Sequence, residues 1–226
     1  MMKNTIITDT SAIEKDRLYS LLKQRPNRKI LGIFQFHLSM YNLGNKGKDT
    51  KFKNWLKSIG EEPAILDSNQ TERSKNQLRL LLYQKGYFHA EVDDSISYRR
   101  KKARVYYKLK YKEPYTIRNT DFSTKDPNIQ YFIDFIKSTS LIKSGDHYDE
   151  ELLNTERERI TSEMKDRGFY YFGKNYITYE VDSSLGSHQV DVSLYINSIN
   201  ENVDPATNAY RPITIHHAFN LQNIYI

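Results

Sequence analysis

The sequence reads Lys-Gly-Tyr-Phe at residues 85–88 and Arg-Gly-Phe-Tyr at residues 167–170. Each tetrapeptide joins a basic residue and a glycine to two aromatic residues, and Gly86 and Gly168 are 82 residues apart. Similar local patterns flank the two tetrapeptides on both sides. A repeat at this distance predicts two copies of one structural unit along the chain.

A helical pattern precedes each glycine. In the first copy, Asn69 and Glu72 have the spacing of a capping box, and in the second Asp149 is the predicted N-cap. Gly86 and Gly168 follow the last helical turns, where a left-handed residue ends a helix and only glycine adopts that conformation cheaply. The apolar side chains that share the inner face of the two helices are Leu78, Leu81, Leu82, Leu153, Ile160 and Met164.

Two alternating segments follow each glycine. Apolar and polar residues alternate with period 2, which predicts a half-buried antiparallel hairpin in each copy. Shorter patterns upstream predict an opening strand and one more helix per copy, so each unit reads strand–helix–helix–strand–strand. The predicted hairpin strands are 91–98, 103–111, 177–182 and 190–197; the opening strands are 5–8 and 115–122; the further helices are 48–59 and 127–142. Residues 26–45 fit a helix and a strand almost equally well.

Composition excludes several classes of protein. Of the 226 residues, 38% are hydrophobic and 27% charged, which suits a folded core. No apolar run approaches the roughly 20 residues of a membrane-spanning helix. The absence of cysteine excludes a cysteine nucleophile, a thiolate zinc site and disulfides. Residues 1–113 carry a net charge of +12 and residues 114–226 a net charge of −6, which predicts two units in different surroundings.

Catalytic and metal-binding patterns are weak. Residues 44–48 have glycines like those of a phosphate-binding loop, but Asp49 stands where a serine or threonine must reach magnesium. His216 and His217 are adjacent, so on an extended segment their side chains point to opposite faces. The acidic cluster at 146–151 fits the start of a helix. The sequence therefore predicts no enzymatic activity, no metal and no cofactor.

One basic run offers a binding alternative. Aromatic residues flank it at Tyr98, Tyr106 and Tyr107, and such rings could stack on the bases of a nucleic acid. The competing interpretation is a solvated hairpin turn whose charges repel other sheet edges. The acidic second half of the chain would oppose a polyanion. The basic run consists of Arg99, Arg100, Lys101, Lys102 and Arg104.

The order of these patterns resembles the POTRA domain, the periplasmic module of the BamA/TamA superfamily of outer-membrane assembly factors. A Gly-Asp-x-Tyr-Asp opening with Gly145 and Tyr148, and a Tyr-x-Ile stretch at 115–117, belong to the same pattern. The stretches 24–32, 36–38 and 41–43 resemble the TamL branch, the TamA-like proteins of Bacteroidota. A Bacteroidota BamA is a similar alternative.

The resemblance implies a fold and a set of partners. The fold class is α+β, with tandem POTRA-like βααββ units, each a three-stranded mixed sheet with two helices on one face. The expected boundaries are 1–113 with an insertion at about 26–58, then 114–200, and at 201–226 a linker with the first strand of a truncated third unit. The expected partners are a TamB-like inner-membrane-linked protein and unfolded outer-membrane clients. The full-length protein would carry a C-terminal membrane barrel that is absent here.

In the POTRA arrangement the first strand of each hairpin lies at a sheet edge. An exposed edge offers unpaired N–H and C=O groups to an incoming strand. We therefore expect residues 88–98 and 170–181 to be edges that capture extended chains; alternatively they are only structural and a partner docks elsewhere. The candidate binding residues are Phe88, Ala90, Val92, Tyr98, Tyr170, Phe172, Tyr176, Ile177 and Tyr179.

Overall fold

The computed structural model describes residues 2–28, 35–47, 49–100, 102–199 and 215–219. The chain divides into two compact units. The first unit comprises Met1–Tyr83 and His89–Lys112, and the second comprises Gln84–Phe88 and Glu113–Ile226. Within the described ranges, none of the helices combines the length and the apolar character that crossing a bilayer requires.

The first unit is a three-stranded mixed sheet with helices. Its strand order is β1-β3-β2, with β1 parallel and β2 antiparallel to the central β3. The elements are β1 (Met2–Thr8), α1 (Lys15–Ser20), α2 (Phe36–Gly44), α3 (Lys51–Ile59), α4 (Ser68–Gln84), β2 (Glu91–Arg99) and β3 (Lys102–Lys110).

The core of the first unit is built from α1, α4 and one face of β3. Val105, Tyr107 and Leu109 alternate along β3 with exposed basic residues and the half-buried Tyr106, so one face of the strand is buried and the other meets solvent. Leu18 of α1 and Leu78 of α4 are fully buried. Full burial of such a side chain contributes roughly 2 kcal/mol, so these positions carry much of the stability of the unit.

The helices of the first unit differ in part from the sequence prediction. The helix predicted over 48–59 is present as α3, but only Leu56 of its apolar residues is buried. α3 packs on α2. Along the chain, this pair lies between two helices that bury side chains in the core, α1 and α4. The sequence did not predict α1, because six residues are too few for a periodic signal.

The second unit repeats the arrangement. Its strand order is β4-β6-β5, with β4 parallel and β5 antiparallel to the central β6. The tandem βααββ fold class is therefore confirmed. The elements are β4 (Thr116–Thr124), α5 (Pro127–Gln130), α6 (Ile133–Ser138), α7 (Glu150–Asp166), β5 (Ile177–Asp182) and β6 (Gln189–Ile196), and one 3-10 turn, Lys174–Tyr176, precedes β5.

The single helix predicted over 127–142 is wrong, since α5 and α6 are separate and α6 ends at Ser138. A network around a buried carboxylate ends α6. Arg159 donates from Nη2 to the carbonyl of Ile136 at 3.1 Å, which satisfies a free carbonyl of the last turn. Glu156, fully buried, accepts from Nε and Nη2 of Arg159 and from the N–H of Leu141. The apolar periodicity could not reveal this network.

The helix ends confirm most of the capping predictions. Asp149 caps α7 and accepts from the N–H of Glu151 at 2.9 Å. Asn69 does not cap α4: Asp67 accepts from its N–H at 2.8 Å, so the helix begins two residues earlier than the capping box indicated. Gly86 and Gly168 have φ of +79° and +93°, the predicted left-handed conformation.

The carbonyl groups of the two glycines each accept one backbone hydrogen bond, and both bonds lie within the second unit. The N–H of Tyr115 donates to the carbonyl of Gly86 at 2.9 Å, and the N–H of Phe219 donates to the carbonyl of Gly168 at 2.8 Å. Tyr115 begins the Tyr-x-Ile stretch of the second unit, and Phe219 lies in the segment 201–226 where the sequence predicts the first strand of a third unit. Residues 201–214 and 220–226, which carry the linker and the rest of the predicted third-unit strand, lie outside the described residues.

Candidate functional site

The first strand of each hairpin lies at a sheet edge, as the sequence predicted. β3 and β6 are central, so β2 and β5 each have one neighbouring strand within their sheet. The direction of each edge backbone group can be derived from the register, because antiparallel pairs alternate between hydrogen-bonded and non-hydrogen-bonded types.

In β2 the hairpin turn fixes this alternation. Arg99 pairs with Lys102 across a two-residue turn in which Arg100 has φ of +55°. Such a turn joins the carbonyl of its first residue to the N–H of its last, so this pair is hydrogen-bonded. The alternation then gives Ser97, Ser95, Asp93 and Glu91 bonds to β3, and the outward N–H groups belong to Val92, Asp94, Ile96 and Tyr98.

In β5 a backbone hydrogen bond just beyond the strand end fixes the alternation. The N–H of Asn197 donates to the carbonyl of Tyr176 at 2.7 Å, which makes that pair hydrogen-bonded. Thr178, Glu180 and Asp182 therefore bond β6, and the outward N–H groups belong to Ile177, Tyr179 and Val181. In the described parts of the chain, no backbone hydrogen bond reaches the outer edge of β2 or of β5.

The opposite edges of the two sheets are partly closed. On β1, the N–H of Ile6 donates to the hydroxyl of Tyr19 at 3.2 Å. On β4, the Gly145–Tyr148 segment pairs antiparallel with the strand: Ile117 donates to the carbonyl of Asp146 and accepts from the N–H of Gly145, at 2.8 and 2.7 Å. The glycine of the Gly-Asp-x-Tyr-Asp opening therefore helps to cover one edge, which leaves β2 and β5 as the more accessible edges.

The structure places only four of the nine candidate binding residues in the edge strands. Val92 and Ile177 are buried, Tyr179 is half-buried and Tyr98 is 70% exposed. The predicted edges 88–98 and 170–181 are therefore too long. Phe88 and Ala90 precede β2, and the ring of Phe88 packs within the second unit, 4.7 Å from that of Tyr115.

The remaining candidates lie between α7 and β5. Tyr170 is exposed, whereas Phe172 is buried in the core of the second unit. Tyr176 belongs to the 3-10 turn, with its ring 4.6 Å from that of His216. The high frequency of aromatic residues suggested a strand, but the rings of Phe172 and Tyr176 instead anchor the segment after Gly168.

A salt bridge and a cation–π contact hold the edge strands to their helices, and the sequence did not reveal either. Lys75 of α4 lies 3.1 Å from Asp94 of β2 and also pairs with Glu72. Arg157 of α7 lies over the ring of Tyr179 at 5.1 Å, and burial, with the nearby charge of Glu156, raises the pKa of the Tyr179 phenol. Each edge strand is thus held to its helix through its inner face, while the outer backbone stays open.

The basic run lies at the tip of the first hairpin. Arg99, Arg100, Lys102 and Arg104 are exposed, and Lys101 lies outside the described residues. Arg104 donates to the hydroxyl of Tyr106 at 3.2 Å. Of the three rings expected to stack on bases, Tyr107 is buried in the core, so it cannot contribute.

The buried carboxylate of Asp126 holds together two segments of the backbone through hydrogen bonds. It accepts from the N–H groups of Asn128, Ile129 and His216, and His216 Nδ1 lies 2.9 Å from its Oδ2. His216 is buried and His217 exposed, as expected for neighbours on an extended segment. Among the described residues no group of three or more histidine, aspartate or glutamate side chains could hold a metal ion.

Residues 2–113, just under half of the chain, match the family model of POTRA, the "Surface antigen variable number repeat". The match runs from β1 to the end of β3, so it covers the first unit of the fold. No curated protein matches the chain.

Several solved structures are similar to the chain at low identity. BamA POTRA3-5 of Haemophilus influenzae has 14% identity and a TM-score of 0.43, over 87% of this chain and 60% of that one. BamA of Haemophilus ducreyi lacking POTRA domains 1-3 has 13% identity and a TM-score of 0.42, over 86% of this chain and 28% of that one. POTRA1-2 of the periplasmic domain of Omp85 from Anabaena has 12% identity and a TM-score of 0.32, over 86% of this chain and 92% of that one. The chain spans less than two thirds of the first two structures.

Proposed function

We propose that the chain is a periplasmic scaffold region of an outer-membrane protein assembly or translocation factor, and that it captures partner or client chains partly by β-strand augmentation. The POTRA match over residues 2–113 supports the class. The observation that carries the mechanism is the open outer edge of β2 and of β5. Main-chain pairing reads little sequence, which suits a module that handles many unfolded chains.

The test separates the loss of an outward N–H from the loss of the side chain by comparing a proline with an alanine at the same position. Tyr98→Pro and Tyr98→Ala both remove the tyrosine ring, but only the proline removes the outward N–H and fixes φ. Val181→Pro and Val181→Ala form the matched pair in β5. The ligand is a fluorescent peptide of about ten residues with the alternating pattern of a barrel strand, and binding is followed by anisotropy.

We expect the alanine variants to bind like the unmodified chain and each proline variant to lose binding at its own edge, with the double proline variant binding at least about tenfold more weakly because several main-chain hydrogen bonds are lost. Circular dichroism checks that each variant is folded. Equal binding by the alanine and proline forms would contradict strand augmentation. The scaffold function would then depend on another binding surface.

The finer assignments of partner and branch are part of the same proposal. A TamB-like protein, unfolded outer-membrane clients and membership of the TamL branch stay predictions from the sequence resemblance. The nucleic-acid alternative has the exposed tip residues Arg99, Arg100 and Arg104 in its favour. It is tested by adding single-stranded DNA to the same anisotropy assay, where salt-sensitive binding that Arg100→Glu weakens would support it.

A further inference from the structure

α3 presents an apolar face that no other described residue covers. Phe52, Trp55 and Ile59 are 64%, 55% and 40% exposed, and they share one side of the helix by their spacing of three and four residues. Their neighbour Leu56 is buried, where α3 packs on α2. The helix is therefore held to the first unit by one side, while its most aromatic side faces outward.

The exposed rings form a small ordered patch. The centroids of Phe52 and Trp55 lie 5.8 Å apart with an interplanar angle of 29°, a stacked arrangement. The N-terminal turn of α3 is fixed by Thr50, whose hydroxyl accepts from the N–H of Lys53. Two large rings preorganised in this way offer apolar area with little further loss of conformational entropy.

Lysines are frequent in this part of the chain. Residues 36–60 contain five lysines and one aspartate, and Glu61 and Glu62 follow. The exposed Lys51 starts the helix, and Lys57 pairs with Asp49 at 2.8 Å. The loop after α3 lies beside the basic hairpin tip, because residues 63–66 line one shallow groove together with Tyr98, Arg100 and Lys102. Exposed basic residues of the hairpin tip therefore lie beside the segment that follows α3.

We propose that this face of α3 docks onto an anionic phospholipid surface. Trp and Phe on an exposed helix face, with a lysine beside them, bind at the interfacial plane of an anionic bilayer, and indole rings favour the headgroup level. The charge decides between occupants: two copies of the chain would bring like charges together, whereas anionic headgroups complement them. This inference does not depend on strand capture by β2 or β5.

Trp55 is the only tryptophan of the chain, so its fluorescence reports on the proposed face directly. The 226-residue chain is titrated with vesicles of phosphatidylglycerol and phosphatidylcholine mixtures, and with pure phosphatidylcholine as the neutral control. We expect the Trp55 emission to shift to the blue and to be quenched by brominated lipid with the anionic vesicles only. Raising the salt concentration should weaken the effect because it screens the lysines.

Two variants keep the tryptophan and remove the proposed contacts. Phe52→Ser should lower the partition coefficient about tenfold through lost apolar burial. Lys51→Glu should lower it at least about fivefold, since a basic residue near an anionic surface contributes on that scale. The matched controls are Tyr131→Ser and Lys143→Glu, which change an exposed ring and an exposed lysine in the second unit and should bind like the unmodified chain.

Three results would overturn the proposal. One is Trp55 emission that does not respond to anionic vesicles while circular dichroism shows a folded chain. Another is equal binding to neutral and anionic vesicles. The third is a blue shift that depends on protein concentration without lipid, which would make the face an interface between copies of this chain.

Discussion

At the scale of the residue, glycine at a positive φ has two separate roles. Gly145 and Gly168 have nearly the same φ, +92° and +93°, which a side chain makes costly. Their surroundings differ. A Cβ on Gly168 would lie 2.8 Å from the carbonyl oxygen of Phe219, whereas a Cβ on Gly145 would meet nothing within 4 Å. Gly168 is therefore needed both for its conformation and for the close approach of the 215–219 segment.

The variants Gly145→Ala and Gly168→Ala separate these roles. Both should lower the free energy of unfolding by about 1–2 kcal/mol through the positive φ. Gly168→Ala should cost roughly 1–3 kcal/mol more, because relieving the clash breaks the hydrogen bond that its carbonyl accepts from Phe219. Urea unfolding followed by circular dichroism measures the difference. Equal losses would mean that the 215–219 segment does not dock on Gly168.

At the scale of the element, the direction of the backbone groups decides what each edge strand can do. Along β2, Ser97 is inferred to bond β3, while its neighbour Tyr98 directs its N–H outward. Both side chains are exposed, so a change at either position disturbs the core little. An edge strand tolerates proline only where the N–H faces away from its partner.

The two positions should therefore respond differently to proline. Ser97→Pro removes a ladder hydrogen bond to Arg104 and should lower the free energy of unfolding by roughly 1–3 kcal/mol relative to Ser97→Ala. Tyr98→Pro should stay within about 1 kcal/mol of Tyr98→Ala, since no described bond is lost. Urea midpoints of the four variants test this. The reverse order would show that the alternation along β2 is shifted by one residue.

At the scale of the whole molecule, periodicity predicted much of the architecture. The period-2 segments placed all four hairpin strands to within a residue or two, because one face of each sheet is buried. α1 was missed since it is short, and the single helix over 127–142 was wrong since its end depends on Arg159, distant in sequence. Contacts between distant residues leave no mark in local periodicity.

The candidate site was less predictable than the fold. The edge position of β2 and β5 followed from the resemblance, but the aromatic residues Phe88, Phe172 and Tyr176 were assigned to edges and instead anchor loops. The exposed side of α3 also looked like a core face in the sequence, since apolar spacing does not distinguish a side that packs inward from one that faces solvent.

The central claim, that extended chains pair with the open edges, is tested most directly by amide hydrogen exchange resolved by NMR. We predict that the outward amides of Ile96 and Val181 exchange quickly in the free chain and become protected when the extended peptide binds. The amides of Ser97 and Glu180, which face β3 and β6, should be protected in both states. Peptide binding that leaves the exchange of Ile96 and Val181 unchanged would contradict strand capture.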